Sequence, residues 1–173
     1  MTYKEYLDTL TPLSKEIILL EGTRKLMDGD APKLTALAQQ LAAQYPNTIF
    51  RTGNAIGSDE AFAKGVAMVD FTRLEYVLPS QGMGKKRLIP NARVISLEDL
   101  SKEELNHLVE KTLEATPNYQ YLVDCYLKGI KNRHAESAKL LIRDVLKVYG
   151  SEANGFLPAT AAIFYVNFEN PRG

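Results

Sequence analysis

The sequence predicts an α/β protein, a three-layer sandwich with a mostly parallel sheet and an inserted helical segment. Three observations carry this expectation. Short apolar runs alternate with segments of helical periodicity in the order βαβαβ, a helical stretch at about 97–150 then interrupts the rhythm, and one more β-prone run follows it. Such alternation calls for crossover connections, which lay helices on both faces of a parallel sheet.

The first strand is the run EIILLE at 16–21, four consecutive apolar residues between two glutamates, as suits a strand covered on both faces. It empties into Gly22-Thr23-Arg24. After the turn signal Asp28-Gly29-Asp30, residues 32–45 place Leu34, Leu37, Ala38 and Leu41 at helical spacing, with Asp30 as the expected cap and Pro32 in the first turn. Pro46-Asn47 breaks that helix, and 48–51 is a short second strand with the turn Thr52-Gly53-Asn54 behind it. Residues 58–69 repeat the helical spacing through Ala61, Phe62, Gly65, Val66 and Val69, and 74–78 reads as a third strand. The stretch 80–95 reads as loop, because turn formers from Ser80 to Gly84 run into the cations Lys85, Lys86 and Arg87. Ser101 with Glu104 makes a capping box that opens a helix to about Glu114, ended at Pro117. A longer helix from about Ala135 to Tyr149 closes at Gly150. The run AAIFYVNF at 161–168 is the final expected strand.

Composition narrows the function classes. The chain has 173 residues, 21 basic against 21 acidic, so its formal net charge is zero and carries no footprint for wholesale binding to nucleic acid or acidic membrane. A hydrophobic fraction of 45% is globular, and no apolar run approaches the roughly 18 residues of a membrane span. The single cysteine, Cys125, cannot close an internal disulfide, and the start MTYKEYLDTL lacks the apolar core of a secretory leader, which points to the cytoplasm. One domain over 1–173 is expected.

In open parallel sheets ligands settle at the carboxyl ends of strands, against helix N-termini. Two loops fit that position. Gly22-Thr23-Arg24 offers close backbone approach, a hydroxyl and a guanidinium suited to phosphate. The segment Thr52-Gly53-Asn54-Ala55-Ile56-Gly57-Ser58-Asp59 sets two glycines four apart between a strand and a helix, an anion-nest pattern. Turn chemistry explains a lone glycine after a strand, but the two loops follow strands that can be neighbours and so can face one ligand. Asp59 is expected to organise its loop by accepting backbone hydrogen bonds. Other patterns fail. Pro79 and Lys86 occupy positions where a P-loop requires Gly and Ser or Thr, and only Gly22 stands where a dinucleotide fingerprint needs three glycines. His107 and His134 read as solvated helix residues and Lys85, Lys86 and Arg87 as an exposed basic loop; no cofactor and no metal is expected.

The pair EIILLEGTR (16–24) and IFRTGNAIGSDEAFAKGV (49–66) resembles the two opening motifs of the DprA/LOG-like Rossmann superfamily, called SLOG. There the first strand typically ends in G-S/T-R, and the second leads into S/T-G-x-A-x-G-x-D-x-x-F/A; Thr52, Gly53, Ala55, Gly57, Asp59 and Phe62 fall on that pattern. The tract LLIRDVLKVYG (140–150) also looks like small phage and bacterial members, and the match covers about half the chain. The resemblance implies a Rossmann-like domain whose glycine loops, with Gly22, Thr23, Arg24, Thr52, Gly53, Asn54, Ala55, Gly57, Ser58 and Asp59, hold a nucleotide or nucleotide-derived phosphorylated ligand. One branch of the superfamily hydrolyses nucleoside monophosphates, and another binds single-stranded DNA. The hydrolase motif PGGxGTxxE does not occur here. A glycine-threonine motif expected after the strand at 161–168 is replaced by Asn170-Pro171-Arg172-Gly173, so the sequence reads either as a shortened member or as a fragment of a longer product. Missing sheet edge would leave apolar surface for a second copy to cover. The DNA-binding alternative would use Arg24, Arg51 and Lys85, Lys86 and Arg87 on backbone phosphates.

Overall fold

The computed structural model describes residues 16–167; the chain start, Phe168 and the stretch 170–173 lie outside the described residues. Five strands, β1 (Ile17–Gly22), β2 (Ile49–Thr52), β3 (Leu74–Leu78), β4 (Arg93–Ser96) and β5 (Ala161–Tyr165), form one sheet. All pairings are parallel, in the order β4-β3-β2-β1-β5. Five α-helices connect them: α1 (Asp30–Gln44), α2 (Ser58–Asp70), α3 (Lys102–Ala115), α4 (Gln120–Leu127) and α5 (Arg133–Tyr149). This is the expected Rossmann-like three-layer α/β sandwich with its helical insertion.

Side-chain alternation along the strands sorts the sheet into two faces. On one, Ile18, Leu20, Phe50, Leu74, Tyr76 and Leu78 pack under α1 and α2 through Leu34, Ala38, Leu41, Phe62 and Val66. The two helices cross closely because Gly65 has no side chain. A Cβ there would run into the carbonyl oxygen of Thr35 and lie 2.8 Å from the Ala38 methyl. On the other face, Val77, Ile95 and Leu97 meet Leu108, Val109, Val123, Ala138, Ile142 and Leu146 of the inserted helices.

That second face also carries charge. Glu75, fully buried on β3, receives Arg51 Nη2 at 2.7 Å and Arg93 Nη1 at 2.6 Å from the register positions on either side. Arg51 donates onward to the carbonyls of Lys147 and Leu157, Arg93 to that of Gly155, and both guanidiniums lie over the Phe156 ring. The one carboxylate and both guanidiniums are therefore hydrogen-bonded, as a buried ionic group requires. The network ties the end of α5 and the turn behind it to the sheet.

Several local expectations are corrected. Asp30 is the first residue of α1 and not its cap: Gly29 holds the cap position in the left-handed conformation, and the Asp30 carboxylate instead takes Lys33 and the Tyr165 hydroxyl. The stretch 80–95 is not all loop, since Arg93–Ser96 forms β4. It was hidden because only Ile95 and Ser96 of its four residues are buried. Helix α4 was also missed, an eight-residue element between two breakers. The capping box of Ser101 and Glu104 is present, and His107 and His134 are exposed as expected.

Candidate functional site

The chain builds outward from β1 to β4 and returns to place β5 beside β1, so the direction of winding switches between β1 and β5. In open α/β sheets a crevice opens outside the carboxyl ends of the strands at such a point. Two adjoining cavities among those at that end of the sheet are lined by the loops after β1 and β2.

The loops after β1 and β2 are fastened to each other. Ser58 Oγ donates to the Thr23 carbonyl at 2.6 Å, and the Ser58 amide donates to the same oxygen at 3.3 Å. Gly57 makes this approach feasible, with φ of +95° and no Cβ to strike the carbonyls of Thr23 and Arg24. Asp59, in the first turn of α2, reaches back so that its Oδ2 accepts from the amides of Gly53 (3.2 Å) and Ala55 (3.0 Å). Burial raises its pKa, opposed by the Ala55 amide and the nearby Lys147 and Arg143. Asp59 is thus the expected loop organiser. A consequence is that the nest amides of Gly53 and Ala55 already hold a resident carboxylate, and Thr23 Oγ1 is turned to the Lys25 carbonyl. Capacity for an outside anion rests on guanidinium groups instead.

The first cavity, about 350 Å³, supplies them. Arg24, Arg87 and Arg143 line it together with Asn54, and no acidic residue does. Each arrives differently. Arg24 follows β1, is exposed, and has no ion-pair or hydrogen-bond partner among the described residues. Arg143 comes from α5, its Nη1 donating to the Gly53 carbonyl at 2.9 Å, a contact open only because position 53 has no side chain. Arg87 is delivered by the β3–β4 loop through Asn54, a non-glycine residue at φ +58°: Asn54 Nδ2 donates to the Gly84 carbonyl and Arg87 Nη2 to the Asn54 carbonyl. Ile56, Leu78, Pro79, Met83 and Leu140 give the cavity an apolar wall.

The second cavity, about 470 Å³, lies over the β1–β5 junction and shares Arg24, Ala55 and Arg143 with the first. Among its lining residues is Glu21, the last side chain of β1 before Gly22. Glu21 Oε2 receives Lys147 Nζ at 2.6 Å, while Oε1 is buried with no hydrogen-bond partner. Burial pushes the Glu21 carboxyl up to about 7, outweighing the pull of Lys147, with Asp59 adding to the rise. Asp144 bridges Arg143 and Lys147 on α5. Phe164, Val166 and Val148 form the rim.

Of the residues expected from sequence, Gly22, Thr23, Arg24, Gly53, Asn54, Ala55 and Asp59 line one cavity or the other. Thr52, Gly57 and Ser58 line neither and instead shape the loops. Lys85, Lys86 and Arg87 are all exposed as expected, and Arg87 in addition lines the first cavity. Arg51, assigned to nucleic-acid phosphates under the alternative reading, is fully buried against Glu75. Sequence reasoning missed Glu21, Arg143 and Lys147. A carboxylate ending an otherwise apolar parallel strand was the one available signal.

Fold and site together define a parallel α/β protein with an arginine-lined cavity over the ends of β2 and β3 and an adjoining cavity of mixed charge at its winding switch. Comparison with family models, curated proteins and solved structures returns no match.

Proposed function

We propose that the chain binds a nucleotide or nucleotide-derived phosphorylated ligand at the carboxyl end of its sheet. The observation that carries this is the convergence of Arg24, Arg87 and Arg143 on a cavity whose lining contains no acid. A planar guanidinium fork matches phosphate oxygens bidentately. The apolar wall beside the arginines suits a ligand with an anionic head and a less polar body, within the range of small-molecule sites. The motif resemblance to SLOG proteins points the same way, through Gly22, Arg24, Gly53 and Asp59.

The test is binding of AMP, adenosine, ADP-ribose and a short single-stranded DNA, by calorimetry and thermal shift, on the wild type and Arg24→Ala. AMP is expected to stabilise the protein and adenosine far less, with Arg24→Ala weakening AMP roughly tenfold, the effect of losing one charged hydrogen bond. Equal binding of adenosine and AMP, or no nucleotide binding, overturns the proposal. Binding of DNA that collapses steeply as salt rises would replace it with a strand-binding role.

A further inference from the structure

The arginine-lined cavity suits a phosphorylated group, and the second cavity adjoins it along Arg24, Ala55 and Arg143, which line both. We infer that the ligand is a diester of diphosphate with an organic arm on each side of its anionic centre, one arm in the first cavity and the other in the second, against Phe164. This rests on the nucleotide reading above and specifies its class: a dinucleoside diphosphate type, in preference to a nucleotide that ends in a free phosphate.

Unpaired positive charge stands where the two cavities meet. Arg24 is exposed, lines both, and has no ion-pair or hydrogen-bond partner among the described residues. Arg87, also exposed, lines the first cavity, and its bond to the Asn54 carbonyl neutralises no charge. The second cavity differs. Apart from Arg24 its lining sets Arg143 and Lys147 against Glu21, Asp59 and Asp144, with Lys147 paired to Glu21 and Asp144, and Arg143 to Asp144. Deeper there a second anion is disfavoured, whereas a neutral arm meets no such objection.

Apolar surface flanks that charge on both sides. Ile56, Leu78, Pro79, Met83 and Leu140 line the first cavity, and Phe164, Val148 and Val166 the second. The latter three are 65%, 47% and 45% exposed, so their apolar surface is open to a ligand. Strand β5 pairs Phe164 with Glu21, whose carboxylate meets Lys147 of α5, and the ring therefore lies on the α5 side of the sheet. It offers a flat face on which a base can stack.

A ligand with its anion at one end would use one apolar wall and leave the other to water. An anion in the middle uses both, with Arg24 at the boundary they share. The dinucleotide fingerprint is absent from the sequence, and here the loop amides of Gly53 and Ala55 already hold Asp59. Guanidinium groups carry the diphosphate in place of backbone amides.

The test compares ADP with diadenosine diphosphate, in which a second adenosine caps the terminal phosphate, by calorimetry. The capped compound carries less negative charge than ADP at neutral pH, so tighter binding cannot come from charge. The wild type is expected to bind it about tenfold more tightly than ADP, the worth of stacking one base. Phe164→Ala should bring the two compounds within about twofold of each other and leave the affinity for ADP unchanged, while Phe164→Tyr should keep the gain. Wild-type binding of ADP as tight as that of the capped compound, or tighter, overturns the two-armed class and leaves the nucleotide reading standing. A gain that survives in Phe164→Ala overturns the seat of the second arm. Failure of AMP, ADP and the capped compound alike to bind overturns both readings. The wild-type comparison decides the class by itself should a variant fail to fold.

Discussion

The two faces of the sheet are built on different principles. Under α1 and α2 the buried strand side chains are aliphatic, aromatic or, at Thr52 and Ser96, uncharged hydroxyls, whereas the face beneath α5 carries Glu21, Arg51, Glu75 and Arg93 amid its apolar residues. The difference follows from what each face positions. Helices α1 and α2 are held by packing, which is non-directional and needs no charge. Helix α5 brings Arg143 and Lys147 to strand ends from 90 and 126 residues away in sequence, and the buried ion network fixes its carboxyl end by hydrogen bonds of defined direction. Orientation, more than net stability, is what a buried ionic cluster provides here.

The largest effect should come from breaking that cluster asymmetrically. Glu75→Ala strands Arg51 and Arg93 beside each other, Arg51 at 0% exposure, and should cost about 3–5 kcal/mol in chemical denaturation. Removing both sides with apolar residues of similar size, Arg51→Met with Glu75→Leu, should recover much of that loss. If the double variant is no more stable than Glu75→Ala, unpaired charge is not the cause. The recovered protein should still have a loosened α5 and weaker AMP binding, because the Lys147 and Leu157 carbonyls lose their donor.

The next largest effect lies in pH. The Glu21 carboxyl stands near 7 in the fold against an ordinary 4.5, so between those values the folded state holds more proton than the unfolded chain. Stability must then fall as pH rises through this window, by about 3 kcal/mol for the full shift, and be flat with respect to Glu21 below 4.5 and well above 7. The charges facing it are Lys147, Arg143 and Asp144 from α5 and Asp59 from α2, and Asp59, also raised, slopes the same way. Asp30, Asp70, Asp99 and Glu104 are lowered, so their contribution is lost only as pH falls through their own range. Glu21→Gln isolates the group: a wild-type slope between pH 4.5 and 7 that persists unchanged in the variant would show that Glu21 is not its source.

The same contrast explains what was legible in the sequence. The apolar face is local and periodic, so β1, β2, β3, α1 and α2 could be read from runs and helical spacing, and their loops yielded Gly22, Thr23, Arg24, Gly53, Asn54, Ala55 and Asp59. The ionic face is assembled from distant positions. Arg51, Glu75 and Arg93 each look like an ordinary polar interruption of a short strand, and only the register of β2, β3 and β4 makes them neighbours. Arg143 and Lys147 sit beside a helical stripe of Ala138, Ile142 and Leu146, where sequence alone gives a solvated edge. The loop motif suggested amides free for an anion, yet the Asp59 carboxylate in that motif occupies two of them.

The smallest expected effect tests the apolar face on its own terms. Gly65→Ala sets two contributions against each other. Alanine is the better helix former by about 1 kcal/mol, which favours the variant. Against this, the new Cβ would collide with the Thr35 carbonyl and crowd Ala38 Cβ at 2.8 Å and the Gln39 amide nitrogen at 2.9 Å. Two of these three atoms are backbone, which cannot turn aside as a flexible side chain can. The Thr35 turn is also held to α2 by its own hydroxyl, which donates to the Ala61 carbonyl at 3.0 Å. The helices must therefore separate, and overpacking of this kind costs about 1–3 kcal/mol. A net loss of about 1 kcal/mol is expected, read as a lower urea midpoint. It should be the same at pH 5 and pH 8, because no ionisable group takes part in the contact. A variant as stable as the wild type would mean that α1 and α2 slide apart freely, and that tight helix contact is not what holds this face.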